Sequence, residues 1–217
     1  MRTIVYVDGF NLYYGACRAP GRKWLDLGAL CARLLPNDEI VEIAYCTANV
    51  KKSPTNPGKQ DRQRIYHRAL ETIPQLRIYR GRFLLKQVTG SLIDPAPGER
   101  LKRAVWTFEE KATDVNLACL MLMDGVEGRY EQAALISNDG DLQMPVEIVR
   151  ERLNRHVTVI NPVLRRRGKR RNAVLSPQPL PSNASFLQLR AKHVEEAQFP
   201  DELISPRGTP LIKPSGW

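Results

Sequence analysis

The run Thr3-Ile4-Val5-Tyr6-Val7 is β-branched or apolar at every position and ends on Asp8-Gly9-Phe10-Asn11. A half-buried strand alternates apolar and polar residues. An unbroken apolar run must be covered on both faces, which is the situation of a strand inside a parallel sheet. This one segment therefore asks for a central sheet with helices on either side. It also puts an acidic turn directly after the first strand.

The rest of the chain supplies the matching pieces. Helical periodicity covers residues 24–35, stopped by Pro36. A second strand is expected over 40–47, a loop over 51–59, a helix over 60–73 and a third strand over 76–85. Residues 86–106 hold two Pro and two Gly without a clear period, and read as a loop excursion. Residues 113–123 read as a helix with Thr113 as N-cap. Val115, Leu117, Ala118, Leu120, Met121 and Leu122 make it apolar on nearly every side, so it is expected to be buried. A strand over 133–136, a helix over 144–153 with Pro145 in its first turn, and a last strand over 156–160 complete the alternation. Alternating strands and helices imply right-handed βαβ units and an α/β fold.

After Pro162 the character changes. Arg165, Arg166, Arg167, Lys169, Arg170 and Arg171 surround Gly168 in a basic run, followed by a Pro/Ser/Asn-rich linker. A short helix is expected over 184–197, then an extended tail holding Trp217. The chain divides into 1–161 and a basic appendage, 162–217. The net charge is +10, and residues 162–217 alone hold 10 basic and 4 acidic residues. Such a balance suits a polyanion such as nucleic acid. The four cysteines and three histidines are scattered, which disfavours zinc or a disulfide framework. No apolar stretch reaches the ~18 residues of a membrane span, and no signal-peptide pattern opens the chain. The expectation is a cytoplasmic protein with no membrane partner.

In open α/β sheets, ligands bind beyond the carboxyl ends of the strands. Asp8 falls there, as do Asp139 and Asp141 after the strand at 133–136. Asp114 opens the apolar helix. Each has an ordinary explanation, since Asp-Gly and Asn-Asp-Gly form turns and an early helical Asp complements the macrodipole. Together they would repel, and their pKa values would rise unless a cation neutralised them. Carboxylate oxygens suit Mg²⁺ or Mn²⁺, which can in turn bind phosphate. A phosphatase reading would use Asp8 as nucleophile, but Phe10 stands where such enzymes carry a second Asp. No GxxxxGK[ST], GxGxxG or GxSxG motif occurs.

Three stretches carry a resemblance: Val7-Asp8-Gly9-Phe10-Asn11-Leu12-Tyr13-Tyr14, then residues 109–118 (EEKATDVNLA), then residues 136–142 (ISNDGDL). With them the chain resembles NYN-domain proteins of the LabA-like group, within the PIN-like nuclease superfamily. The resemblance implies a three-layer α/β/α sandwich with a mainly parallel central sheet, plus the extended basic C-terminal segment. It implies a metal-dependent ribonuclease using Mg²⁺ or Mn²⁺ and releasing 5′-phosphate and 3′-hydroxyl ends. Asp8, Asp114, Asp139 and Asp141 match the acidic metal-binding set. Asn11 matches the opening motif, and Ser137 the hydroxyl residue that would orient a carboxylate.

Lys111 and the basic run Arg165, Arg166, Arg167, Lys169, Arg170 and Arg171 are the candidate RNA contacts. Tyr13, Tyr14 and Trp24 are candidates for stacking on bases. The implied partner is single-stranded RNA. A second copy of the chain and an antitoxin or regulatory protein are further expectations. PIN nucleases often carry another acidic residue between the first two strands; here the region offers Asp26, Asp38 and Glu39. A non-catalytic RNA-binding protein is the alternative class.

Overall fold

The structure, a computed structural model, describes residues 1–51, 56–94, 101–164 and 183–217. Its elements run β1 (Arg2–Asp8), α1 (Gly9–Leu12), α2 (Leu27–Leu34), β2 (Glu39–Ala48), α3 (Lys59–Leu70), β3 (Leu76–Ser91), β4 (Lys102–Lys111), α4 (Thr113–Val126), β5 (Gln132–Ile136), α5 (Gln143–Glu147), β6 (His156–Asn161), β7 (Ala184–Gln188), α6 (Ala191–Glu195), β8 (Glu202–Ile204) and β9 (Pro210–Ile212). Single π-helical turns extend α1 through Tyr13–Cys17 and α5 through Ile148–Arg152.

Seven strands form one sheet in the order β4-β3-β2-β1-β5-β6-β7. All neighbours are parallel except β3 and β4. β1 lies in the middle and is buried from Thr3 to Asp8. Its side chains divide between two cores, as the period of two requires. Val5 and Val7 join Leu27, Leu30, Leu70 and Val194 on one face. Ile4 and Tyr6 join Leu117, Met121 and Val149 on the other. The fold is the expected α/β class, a mainly parallel sheet flanked by helices.

Several expectations change. Residues 86–106 do not wander as a loop. Their described part continues β3 to Ser91 and opens β4, and the two strands pair antiparallel from Arg82↔Lys111 to Ser91↔Lys102. This ribbon carries exposed apolar groups such as Leu85 and Trp106 and reaches past the covered sheet. With few residues buried, it shows no apolar face for a period-two pattern to reveal.

Helix α4 is apolar all round but buries only one face. Thr113, Leu117 and Met121 face inward at four-residue spacing, whereas Val115 is 63% exposed. Its N-cap is Ala112 at φ 74°, not Thr113. Residues 184–188 form strand β7 beside β6 rather than opening a helix; only α6 is helical there.

The tail packs on the body. Phe199, Leu211 and Val194 enter the first core, and β8 pairs with β9. Trp24 is fully buried against Phe199 and Trp217, with ring centroids 5.7 and 6.2 Å away, and its Nε1–H donates to the Pro200 carbonyl at 2.8 Å. It is a core residue and offers no surface for a base. No helix among the described residues is long and apolar enough to cross a membrane.

Gly81 lets the ribbon meet the start of α4. A Cβ there would stand 2.5 Å from the Lys111 carbonyl oxygen and 2.8 Å from Thr113 Oγ1. Backbone cannot yield as a side-chain tip can. Gly81→Ala is expected to cost about 1–3 kcal/mol through overpacking, read as a lower urea midpoint. An unchanged midpoint would mean the β3–β4–α4 junction has slack.

Candidate metal centre

The strand order reverses at β1, whose neighbours are β2 on one side and β5 on the other. A crevice opens outside the carboxyl ends of strands at such a reversal. Asp8 ends β1 and keeps the parity of Ile4 and Tyr6, which places it on the α4 side. Ser137 and Asp139 follow β5, and Asp114 lies in the first turn of α4. One carboxylate oxygen from each of Asp8, Asp114 and Asp139 lies within 4.8 Å of those of the other two. The cleft they face has a volume of about 330 Å³.

Asp8 and Asp139 are each held by the turn that follows their strand. Asp8 is 4% exposed. Its Oδ1 accepts from the Asn11 N–H at 2.9 Å, which caps α1, and its Oδ2 accepts from the Ser137 hydroxyl at 3.0 Å. Ser137 Oγ in turn accepts from the Asp139 N–H at 3.1 Å. The Asn11 side-chain oxygen accepts from the Asn138 N–H at 3.1 Å, tying the β1 turn to the β5 turn. Asp139 caps the short turn Gly140–Leu142 by accepting from the Asp141 N–H at 3.0 Å. The turn-forming and clustering explanations thus hold for the same residues at once.

The electrostatics follow from the crowding. Burial pushes the Asp8 carboxyl above its usual range; the Asn11 and Ser137 hydrogen bonds oppose this, and Asp139 and Glu110 add to it. Asp114 is pushed up to about 6, first by burial and then by the charges of Asp8, Asp139, Glu110 and Asp141. Three hard oxygen donors converging at a site that disfavours their charge could hold a divalent cation.

Asp141 stands outside the group of three but close enough to raise Asp114. Lys111 is paired with Glu109 at 2.5 Å, on the exposed end of β4. The basic run Arg165, Arg166, Arg167, Lys169, Arg170 and Arg171 lies outside the described residues. Asp26 is the α2 N-cap, and Asp38 pairs with the N-terminal ammonium at 3.2 Å; Glu39 opens β2 at the opposite end of the sheet.

The fourth carboxylate at the cleft is instead Glu110. It accepts from the Thr113 N–H at 3.2 Å and from the Thr113 hydroxyl, closing the start of α4. The sequence signal was present: Glu110 precedes Asp114 by four residues, in the stretch that carried the resemblance. Beside the cleft opens a larger cavity of about 490 Å³, which shares Phe10, Tyr14 and Glu110 with it.

Fold and site together define an α/β protein with a carboxylate centre at the switch point of a parallel sheet. The NYN domain family matches residues 2–190, and the chain belongs to that family. It is 27% identical to the 6-hydroxy-3-succinoylpyridine 3-monooxygenase HspA of Pseudomonas putida (strain DSM 28022 / S16), over all of this chain and 75% of that protein. Its fold is similar to that of VPA0982 from Vibrio parahaemolyticus RIMD 2210633, a protein of unknown function. The TM-score is 0.51 at 19% identity, over 87% of this chain and 92% of that one.

The raised Asp114 carboxyl gives a signed expectation. A carboxylate lifted in the fold contributes stability below its unfolded pKa of about 4 and loses it as pH rises through about 6. Asp114 is half-exposed, so the effect is discounted to about 1 kcal/mol. In EDTA, wild type should therefore melt lower than Asp114→Asn at pH 7, and the gap should close by pH 4. Mn²⁺ should raise the wild-type melting temperature at pH 7 and leave the variant's unchanged. Melting curves that show neither difference would mean no cation is needed there.

Proposed function

We propose that the chain is a metal-dependent ribonuclease of the LabA-like, PIN-like kind, hydrolysing phosphodiester bonds of single-stranded RNA. The observation that carries this reading is the convergence of Asp8, Asp114 and Asp139 within 4.8 Å. These three would hold Mg²⁺ or Mn²⁺, with Asp141 and Glu110 adding negative potential at the rim. The bound ion supplies Lewis acidity, lowering the pKa of a coordinated water and neutralising phosphate charge.

The chain's own side chains do the positioning. Ser137 fixes one Asp8 oxygen and, through the Asp139 N–H, sets the distance between the two loops. Asn11 locks those loops together from the other side. The acidic cleft alone would repel RNA, so backbone attraction falls to basic groups elsewhere in the chain. We assign this to the run Arg165–Arg171, with Lys111 contributing once it leaves Glu109. A protein using that run should lose affinity and salt dependence together when it is deleted.

End-labelled single-stranded RNA, incubated with Mn²⁺, Mg²⁺ or EDTA, tests the reading. Cleavage is expected with either metal and not in EDTA. Asp8→Asn and Asp114→Asn should reduce it to background while leaving the fold intact by circular dichroism. Ser137→Ala should slow it about 10- to 100-fold, the usual cost of losing an outer partner of a metal ligand. Wild-type rates in Asp114→Asn would overturn the assignment.

A second reading follows from the Pseudomonas relative: oxygenation of a substituted pyridine. The cavity beside the cleft favours it, because aromatic rings supply much of its wall. Consumption of 6-hydroxy-3-succinoylpyridine with oxygen and a two-electron donor, indifferent to Asp114→Asn, would carry that reading instead.

A further inference from the structure

We propose that the cavity beside the acidic cleft is a nucleotide seat, which stacks one base of the bound strand and pairs with its phosphate. The inference rests on the ribonuclease reading for its substrate and on the cavity itself for its chemistry. At about 490 Å³ the cavity is the size of a small-molecule site. Flat aromatic surfaces bound it from two directions. Phe10, Tyr13 and Tyr14 come from the turn after β1, and Phe83 and Phe108 from the β3–β4 ribbon. Phe10 and Phe83 already meet edge to face at 5.5 Å. Tyr14 is exposed and belongs to both cavity and cleft, so a strand crossing the acidic centre can turn a base inward without leaving it.

The decisive group is His67. It lines the cavity, is 5% exposed, and its Nε2 has no hydrogen-bond partner among the described residues. A buried polar atom left unpaired is uncommon and calls for a reason. Burial and the Arg80 charge hold its pKa down to about 4, so the ring is neutral at pH 7 and offers one donor and one acceptor. Neighbouring polar groups are already committed. The Gln63 amide is used by the Val50 N–H and the Ala48 carbonyl, and the Tyr66 hydroxyl donates to the Leu25 carbonyl. His67 is the buried lining group whose Nε2 still lacks a partner among the described residues, and we assign it to a base edge. Lys23, Lys59 and Arg62 add positive charge to the same wall, which suits an anion attached to the ring. A planar ring carrying an anionic group, next to a centre for phosphodiester chemistry, is a nucleotide.

The test is calorimetric binding to the full chain in EDTA, which leaves the metal centre out of the measurement. The probes are AMP, GMP, CMP and UMP, with ribose 5-phosphate as the control without a base and benzoate as the control without a sugar. At least one nucleotide should bind tenfold or more tightly than both controls. His67→Phe, which keeps a ring and removes the nitrogens, should weaken it at least tenfold. Phe108→Ala, on the ribbon and outside the core, should weaken it as well, and serves if the His67 variant does not fold. The proposal is overturned if no nucleotide binds, if benzoate binds as well as the nucleotides, or if neither variant changes affinity. RNA cleavage without nucleotide binding leaves the ribonuclease and removes the seat. Nucleotide binding without cleavage does the reverse.

Discussion

A buried carboxylate with a donor on each oxygen is the interaction on which the carboxyl edge of this sheet depends. Asp8 sits at the end of the buried central strand, where desolvation works against its charge. Asn11 N–H and the Ser137 hydroxyl offset that penalty from two different loops. Because the two donors follow β1 and β5, satisfying Asp8 also fixes the separation of those strand ends. Asp139 inherits its place from the same hydroxyl, through its own N–H. Losing Ser137 would therefore disturb two acids, while losing Asn11 would loosen the loop that carries one of them.

This arrangement also explains why the site is electrostatically unfavourable on its own. The parity of β1 sends Asp8 to the face that α4 covers, and Asp114 lies in the first turn of that helix. Both acids are thus brought together by packing, with Leu117 and Met121 holding α4 down. Hydrophobic contacts of that kind are strong enough to impose a like-charge cluster. A fold that tolerates such a cluster at a sheet's switch point is arranged to receive positive charge there, and a divalent cation is the compact way to supply it.

The parts legible in the sequence are those governed by burial on two faces or by a breaker. The apolar runs of β1, β5 and β6, and the Asp turns after β1 and β5, needed only local pattern. The parts that escaped have one physical cause in common: they are not covered on both sides. The β3–β4 ribbon has Trp106 67% exposed and no apolar face to alternate. Strand β7 is a short edge with only partly buried residues, so it lacks the signature of β1. Helix α4 misled in the opposite direction, since apolar residues on its outer side carry no mark of being exposed. Asp26 and Asp38 are the acids the chain offers between β1 and β2, yet both are spent on a helix cap and a terminal ion pair. Glu110 stands in the stretch that carried the resemblance, but its place at the cleft follows from β4 running back there.

That return of β4 is what joins the two halves of the site. The ribbon leaves the sheet as β3, turns, and delivers Phe108 to the cavity and Glu110 to the boundary between cavity and cleft within three residues. A strand places alternate side chains on one face, so Phe108 and Glu110 point the same way. Phe83 on the opposite strand pairs directly with Glu110. The acidic centre and the aromatic cavity therefore share a wall, and any movement of the ribbon changes both. Negative charge on one side of that wall, and Lys23, Lys59 and Arg62 on the other, set a direction for an anionic chain lying across it. Under the ribonuclease proposal, a phosphate at the carboxylates would need a cation between them, whereas its neighbour could be held by the protein directly. Under that proposal, such a division would let recognition proceed on protein groups alone and reserve the metal for the bond to be cut.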